Sequence, residues 1–175
     1  MRALITPQRA ASRLSVAELR ARWRQLADDP LVAAIPYKLE LNERGSIEVS
    51  PAAPRHAFLQ AFVASELRRL LPAGSTFTEC PVETEIGVRV PDVVWASADF
   101  LCQHSLDDPF ASAPELCVEV LSPSNTRVEI EAKVAAYLAA GAREVWIVHE
   151  SRVEMIGPDS ARSSSELGIA LTLPR

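Results

Sequence analysis

The sequence predicts a mixed α/β fold in which one central β-sheet carries helices packed against it. Three observations point there. Helix-period apolar stripes and short β-rich runs alternate along the 175 residues, in the order helix, hairpin, helix, several strands, helix, strands. The composition, 48% hydrophobic and 23% charged with a mean hydropathy of +0.06, belongs to a packed globular chain and excludes a mostly disordered one. A chain of this size also buries roughly 70% of its unfolded surface, enough for a single core.

The elements follow in order. Residues 15–28 form a helix: Ser15 caps it with Glu18 three places on, and Val16, Leu19, Trp23 and Leu26 recur at helical spacing. Asp28-Asp29-Pro30 stops it. Tyr37–Leu41 and Ile47–Val49 flank Asn42-Glu43-Arg44-Gly45 as a hairpin with Gly at the turn. After the loop Ser50–Pro54, an amphipathic helix spans Arg55–Leu71 and ends at Pro72-Ala73-Gly74. Ser75–Val90 reads as two short strands around Glu85-Ile86-Gly87. Strands are expected at Val90–Ala96 and Leu116–Leu121, with an Asp/Ser/Pro-rich loop over 97–113 between them. Thr126–Ala140 is a helix striped by Ile130, Val134, Tyr137 and Leu138 and stopped by Gly141, with Ser122–Asn125 as its cap. Glu144–Val148 and Val153–Ile156 are further strands, and the Ser-rich tail holds one more at Ile169–Leu173.

Charge and cysteines narrow the class. Eighteen Lys and Arg against 23 Asp and Glu give a net charge of −5, which counts against a protein that coats nucleic acid nonspecifically. The charge is uneven, because residues 1–24 hold Arg2, Arg9, Arg13, Arg20, Arg22 and Arg24 against Glu18 alone. This cluster reads either as a solvated helix face or as a basic arm for phosphates or a partner. Cys80, Cys102 and Cys117 are odd in number and lack CxxC spacing, the pattern of free thiols in a reducing compartment. No run approaches the roughly 18 unbroken apolar residues that span a membrane, and the N-terminus lacks a signal-like apolar run. A cytoplasmic protein with no membrane partner is expected. GxSxG, P-loop, GxGxxG and HExxH motifs are all missing.

Two acids stand where a core belongs. Every neighbour of Glu119 in Leu116–Leu121 is apolar, and Asp92 is enclosed in the same way by Val90-Pro91 and Val93-Val94-Trp95. A buried carboxylate needs a partner or it neutralises. Each acid alone fits a strand end or an arginine pair. Together, at the ends of neighbouring strands, they make an oxygen site for a hard cation such as magnesium, with the main-chain carbonyl of Val120 as a further ligand. Lys133 lies on the flank of the helical stripe, where it reaches toward the sheet or pairs with Glu129 at i,i+4. His56, at a helix start, is either a capping residue or a proton-transfer group. Glu79, Glu83 and Glu85 read as a solvated acidic strand face.

The stretch Ala113–Thr126, then Glu129, Lys133, Tyr137, Gly141 and Glu144-Val145-Trp146, closely resembles the Uma family of putative restriction endonucleases, within the PD-(D/E)XK nuclease superfamily. Leu39–Asn42, Ser50-Pro51, Arg55-His56, Thr78–Thr84 and Pro91–Trp95 agree upstream, so the resemblance runs from about residue 37 to 157. It implies a restriction-endonuclease-like fold with a central mixed sheet flanked by helices. Asp92 matches the Pro-Asp acid and Glu119 the second acid, both as ligands of Mg2+ or Mn2+. The superfamily lysine normally lies two places after that acid; here Leu121 stands there, and Lys133 takes the role from the following helix. Glu40 and His56 fall on positions kept near the site. The expectation is a metal-dependent endonuclease that hydrolyses DNA as a homodimer, with a partner protein as a further source of DNA affinity. The open alternatives are a catalytically silent binding module of the same fold and a metal-dependent phosphoesterase acting on RNA or nucleotides. Its expected division is a helical arm over 1–30, the nuclease-like domain over 31–158 and a tail over 159–175.

Overall fold

A reciprocal cap opens the first helix: the Ser15 side chain accepts from the Glu18 N–H, and Glu18 accepts from the Ser15 N–H. That helix is α1 (Val16–Ala27) in a computed structural model that describes residues 12–50, 53–104, 106, 108–123 and 125–174. Arg2, Arg9, Pro51 and Ser124 lie outside the described residues. Asp29 and Pro30 do more than stop α1. They cap and begin a single-turn helix, α2 (Pro30–Ala33). The hairpin β1 (Lys38–Asn42) and β2 (Ile47–Ser50) follows. Its turn is held by the Asn42 carboxamide, which accepts from the Arg44 and Ser46 N–H groups at 3.0 Å, with Gly45 at φ 71°. α3 (Pro54–Leu70) buries Leu59, Val63, Ala64 and Leu67.

Between residues 74 and 97 the chain makes four strands: β3 (Gly74–Thr78), β4 (Val82–Thr84), β5 (Gly87–Arg89) and β6 (Val93–Ser97). Three of them lie where two were expected. A helix, α4 (Ala98–Gln103), then occupies part of the expected loop, because the Ser97 hydroxyl caps the Phe100 N–H and Phe100 packs edge-on to buried Phe110. β7 (Leu116–Val120), α5 (Arg127–Ala139), β8 (Glu144–Val148), β9 (Val153–Ile156) and β10 (Ala161–Arg162) complete the order. The cap of α5 is Thr126 in a capping box with Glu129, while Asn125 turns back to accept from the Ser122 N–H at 2.8 Å. The final strand is not Ile169–Leu173. Ile169, Leu171 and Leu173 pack on the core without a ladder.

Two sheets replace the single one expected. β10-β9-β8-β7-β6-β3 form a mixed sheet in which β7 and β8 are parallel, and β2-β1-β5-β4 form a smaller antiparallel one. The division falls at β5, which pairs with β1 through the close approach of Gly87 to Leu41. A Cβ at residue 87 would collide with the Leu41 carbonyl.

Alternation along the strands sorts the large sheet into two apolar faces. Val93, Trp95, Leu116, Val118, Trp146 and Val148 meet α3 and the tail, whereas Val94, Cys117, Val145 and Ile147 meet Ile130, Val134 and Tyr137 of α5. Glu144, on the α3 face, is fully buried and accepts from the Ser165 hydroxyl and the Glu166 N–H. α1 covers the small sheet through Leu19, packed with Leu41 and Val88. Its arginines keep the solvated face expected of them, with Arg22 and Arg24 exposed, and each also contacts the rest of the fold. Arg20 pairs with buried Glu83, Arg22 donates to the Gly45 carbonyl and Arg24 to the Asp108 carbonyl. Glu83 therefore leaves the expected solvated acidic face, although Glu79 and Glu85 stay exposed. No helix among the described residues is long and apolar enough to cross a membrane.

Burial separates the three thiols. Cys102 is exposed, whereas burial pushes Cys80 up to about 12 and Cys117 well above the ordinary thiol range. A thiol reagent at pH 7.5 should therefore label one cysteine of the native protein and three after denaturation, as counted by mass spectrometry.

Candidate active site

Three elements each send two side chains into one cluster, each pair following the period of its own element, and two neighbouring strands add one acid each. Lys38 and Glu40, two apart on β1, share the face opposite Leu41. His56 and Gln60 are four apart on α3, as are Lys133 and Tyr137 on α5. Asp92 immediately precedes β6, and Glu119 lies in β7. The antiparallel register Val93↔Val118 continued by one residue sets Asp92 opposite Glu119, with both side chains on the α5 face.

Asp92 is 1% exposed and Glu119 3%. The Asp92 Oδ2 accepts from the Val120 N–H at 2.7 Å, and its Oδ1 accepts from Lys38 Nζ at 2.6 Å, with His56 Nε2 at 3.3 Å. Its carbonyl is held by Gln60 Nε2 at 3.0 Å and by the N–H of Glu79 at 3.2 Å. Glu79 adopts a left-handed φ of 51°, a conformation that a side chain takes up only under local constraint. Glu119 Oε1 accepts from the Tyr137 hydroxyl at 2.6 Å and from Lys133 Nζ at 3.4 Å, and its Oε2 lies 3.9 Å from Lys38 Nζ. Lys133 also donates to Glu40 Oε1 at 2.9 Å, an oxygen that takes the Val90 N–H as well. Arg89 approaches the other Glu40 oxygen at 3.5 Å.

The two central acids are driven apart in acidity. Burial opposes ionisation of Asp92, but the His56 hydrogen bond and the Lys38 charge outweigh it and hold the carboxyl at about 2. At Glu119 burial prevails over Lys38 and Lys133, and the carboxyl is raised. Burial likewise works against Glu40, where the Lys133 and Lys38 charges win and the carboxyl is lowered. The hydrogen bond to Asp92 raises His56. Burial and the Glu119 charge lift the Tyr137 phenol well above its ordinary range, so it stays a donor.

All five side chains named from the sequence, Asp92, Glu119, Lys133, Glu40 and His56, belong to this cluster. Lys133 does not make the i,i+4 pair with Glu129, whose carboxylate is engaged in the Thr126 cap. Val120 contacts Asp92 through its N–H. Sequence reasoning missed Lys38, Tyr137 and Gln60. The signal for Lys38 was its place two residues before Glu40 on a half-buried strand. Tyr137 was assigned to the apolar stripe, although it sits one turn after Lys133. A cavity of about 310 Å³ opens beside the cluster, lined among others by Tyr37, Lys38, His56, Asp92, Glu119 and Lys133.

A helix-flanked mixed sheet thus carries a carboxylate pair at the junction of two strands, with lysines beside it. The chain belongs to the Uma2 family, described as "Putative restriction endonuclease", whose model matches residues 25–172. The resemblance read from the motifs is thereby shown, and the match reaches further than those motifs at both ends, into α1 and the core-packed tail. Among solved structures, the chain is similar to a putative nuclease belonging to DUF820 from Anabaena variabilis ATCC 29413, with a TM-score of 0.66, 18% identity, and coverage of 81% of this chain and 90% of that one. The DrdV–DNA complex also matches, with a TM-score of 0.41 and 13% identity over 89% of this chain and 12% of that one. No curated protein matches the chain.

Removing the donor that fixes buried Glu119 Oε1 tests the cluster's packing. Tyr137→Phe should cost about 1–3 kcal/mol of stability in urea unfolding, since it leaves a buried acceptor short of a partner. A change below a few tenths of a kcal/mol would show that the hydroxyl does not hold the acid.

Proposed function

We propose that this protein is a metal-dependent nuclease that hydrolyses phosphodiester bonds in DNA, with Mg2+ or Mn2+ held by Asp92 and Glu119 and by the main-chain carbonyl of Val120. One observation carries the reading: carboxylate oxygens from two adjacent strands converge on a single half-buried cation, the Lys38 ammonium. The donor set suits the ion. Among the described residues no three His, Cys, Asp or Glu side chains are grouped as metal ligands, and magnesium commonly takes only one or two carboxylates, filling its shell with water and substrate phosphate. When bound, the metal would lower the pKa of water and neutralise phosphate oxygens.

The chain's own residues supply the rest. Lys133, held between Glu40 and Glu119, sets a positive charge beside the scissile phosphate, where negative charge develops in the transition state. Tyr137 fixes the Glu119 carboxylate so that its second oxygen faces the cavity. His56, raised by its hydrogen bond to Asp92, lines the cavity and is placed to exchange a proton there. The net charge of −5 leaves DNA affinity to a homodimer, whose two sites would serve the two strands, or to a partner protein. The working compartment in this reading is the cytoplasm.

Purified protein should nick plasmid DNA in Mg2+ or Mn2+ and lose that activity in EDTA. Asp92→Ala should abolish cleavage, and Lys133→Met should slow it by at least about 100-fold. Equal rates for wild type and Asp92→Ala would reject the site, and stronger competition by RNA or a nucleotide than by DNA would move the substrate class.

A further inference from the structure

The position that bridges Asp92 and Glu119 is taken by a group no sequence motif pointed to. The Lys38 ammonium lies 2.6 Å from Asp92 Oδ1 and 3.9 Å from Glu119 Oε2. These are the oxygens that face inward, because the Asp92 Oδ2 is occupied by the Val120 N–H and the Glu119 Oε1 by Tyr137 and Lys133. The Lys38 side chain is only 12% exposed, yet it lines the open cavity. It sits at the start of β1, tethered by four flexible methylenes rather than by a rigid fork.

We propose that Lys38 is a displaceable tethered cation: it occupies the divalent-metal position in the metal-free protein and must leave that position for the metal to bind. This rests on the reading of Asp92 and Glu119 as the metal ligands. The physical basis is charge balance. A buried carboxylate pair without a cation is strongly disfavoured, so Lys38 preserves the folded cluster when no metal is present. It cannot remain between the same two oxygens as a divalent ion, since two cations there would repel one another across a desolvated gap. Metal loading therefore releases Lys38 into the cavity, where its amine becomes available to an anionic ligand. The lysine is a positioning residue that sets metal affinity.

The decisive measurement is Mn2+ binding by calorimetry together with thermal unfolding, each with and without metal. Lys38→Met removes the competitor while keeping the apolar stem. It should bind Mn2+ at least about tenfold more tightly than wild type, melt lower than wild type in EDTA, and gain more stability on adding Mn2+. Lys38→Arg, which keeps a cation in place, should bind Mn2+ no better than wild type. Equal or weaker Mn2+ binding by Lys38→Met would overturn the proposal, as would failure of that variant to fold even in excess Mn2+. Asp92→Asn separates the two levels. If wild type binds Mn2+ and Asp92→Asn does not, the metal site stands whatever Lys38 does; if Asp92→Asn binds as wild type does, the metal assignment itself is wrong.

Discussion

Three carboxylates and two ammonium groups share one buried volume, and much of the surrounding architecture follows from keeping that set in balance. Glu40, Asp92 and Glu119 all lie below a tenth exposure, where an unpaired charge is very costly. Lys38 from β1 pairs with Asp92 and Glu119, and Lys133 from α5 with Glu40 and Glu119, while His56 and Arg89 add to Asp92 and Glu40. The small sheet therefore does more than cover an edge, because it delivers Lys38 and Glu40 on one face while its other face buries Leu41 under α1. α5 packs its apolar stripe on the large sheet and lays Lys133 and Tyr137 over Glu119. Loss of any one of these placements would leave the buried acids with fewer cationic partners.

The same sheet shows that a buried acid need not be chemical. Glu144 is as deeply buried as Glu119, but strand alternation turns it to the α3 face, where a hydroxyl and a main-chain N–H of the tail satisfy it. What separates the two acids is the company they keep, and that is settled by which face of the strand each one occupies.

Much of this was legible in the residues alone. Asp92 and Glu119 violated the apolar pattern of their strands, and that conflict pointed to two acids that the fold brings around one lysine. Helical spacing left Lys133 between the sheet and a pair with Glu129, and the family match bears out the resemblance carried by the motifs around it. What escaped was whatever depended on which strand pairs with which. β5 joins β1 rather than β6, and this pairing builds a second sheet and brings Lys38 into the cluster; no local pattern in residues 75–90 encodes it. α4 was hidden in a polar stretch although Ser97 and Phe100 were there to cap and bury it. In the tail, alternating Ile169, Leu171 and Leu173 imitate a strand, yet they serve as packing for Trp146 and its neighbours.

The capping box of α5 acquires a meaning beyond helix stability. Thr126 and Glu129 fix where the helix begins, and so fix how far Lys133 and Tyr137 stand along the sheet. Because both side chains hang from one rigid rod, an axial slip would pull them from Glu119 in unison. Alignment at the heart of the molecule is thus governed from a solvent-facing threonine two turns away, which acts as the zero mark of a ruler.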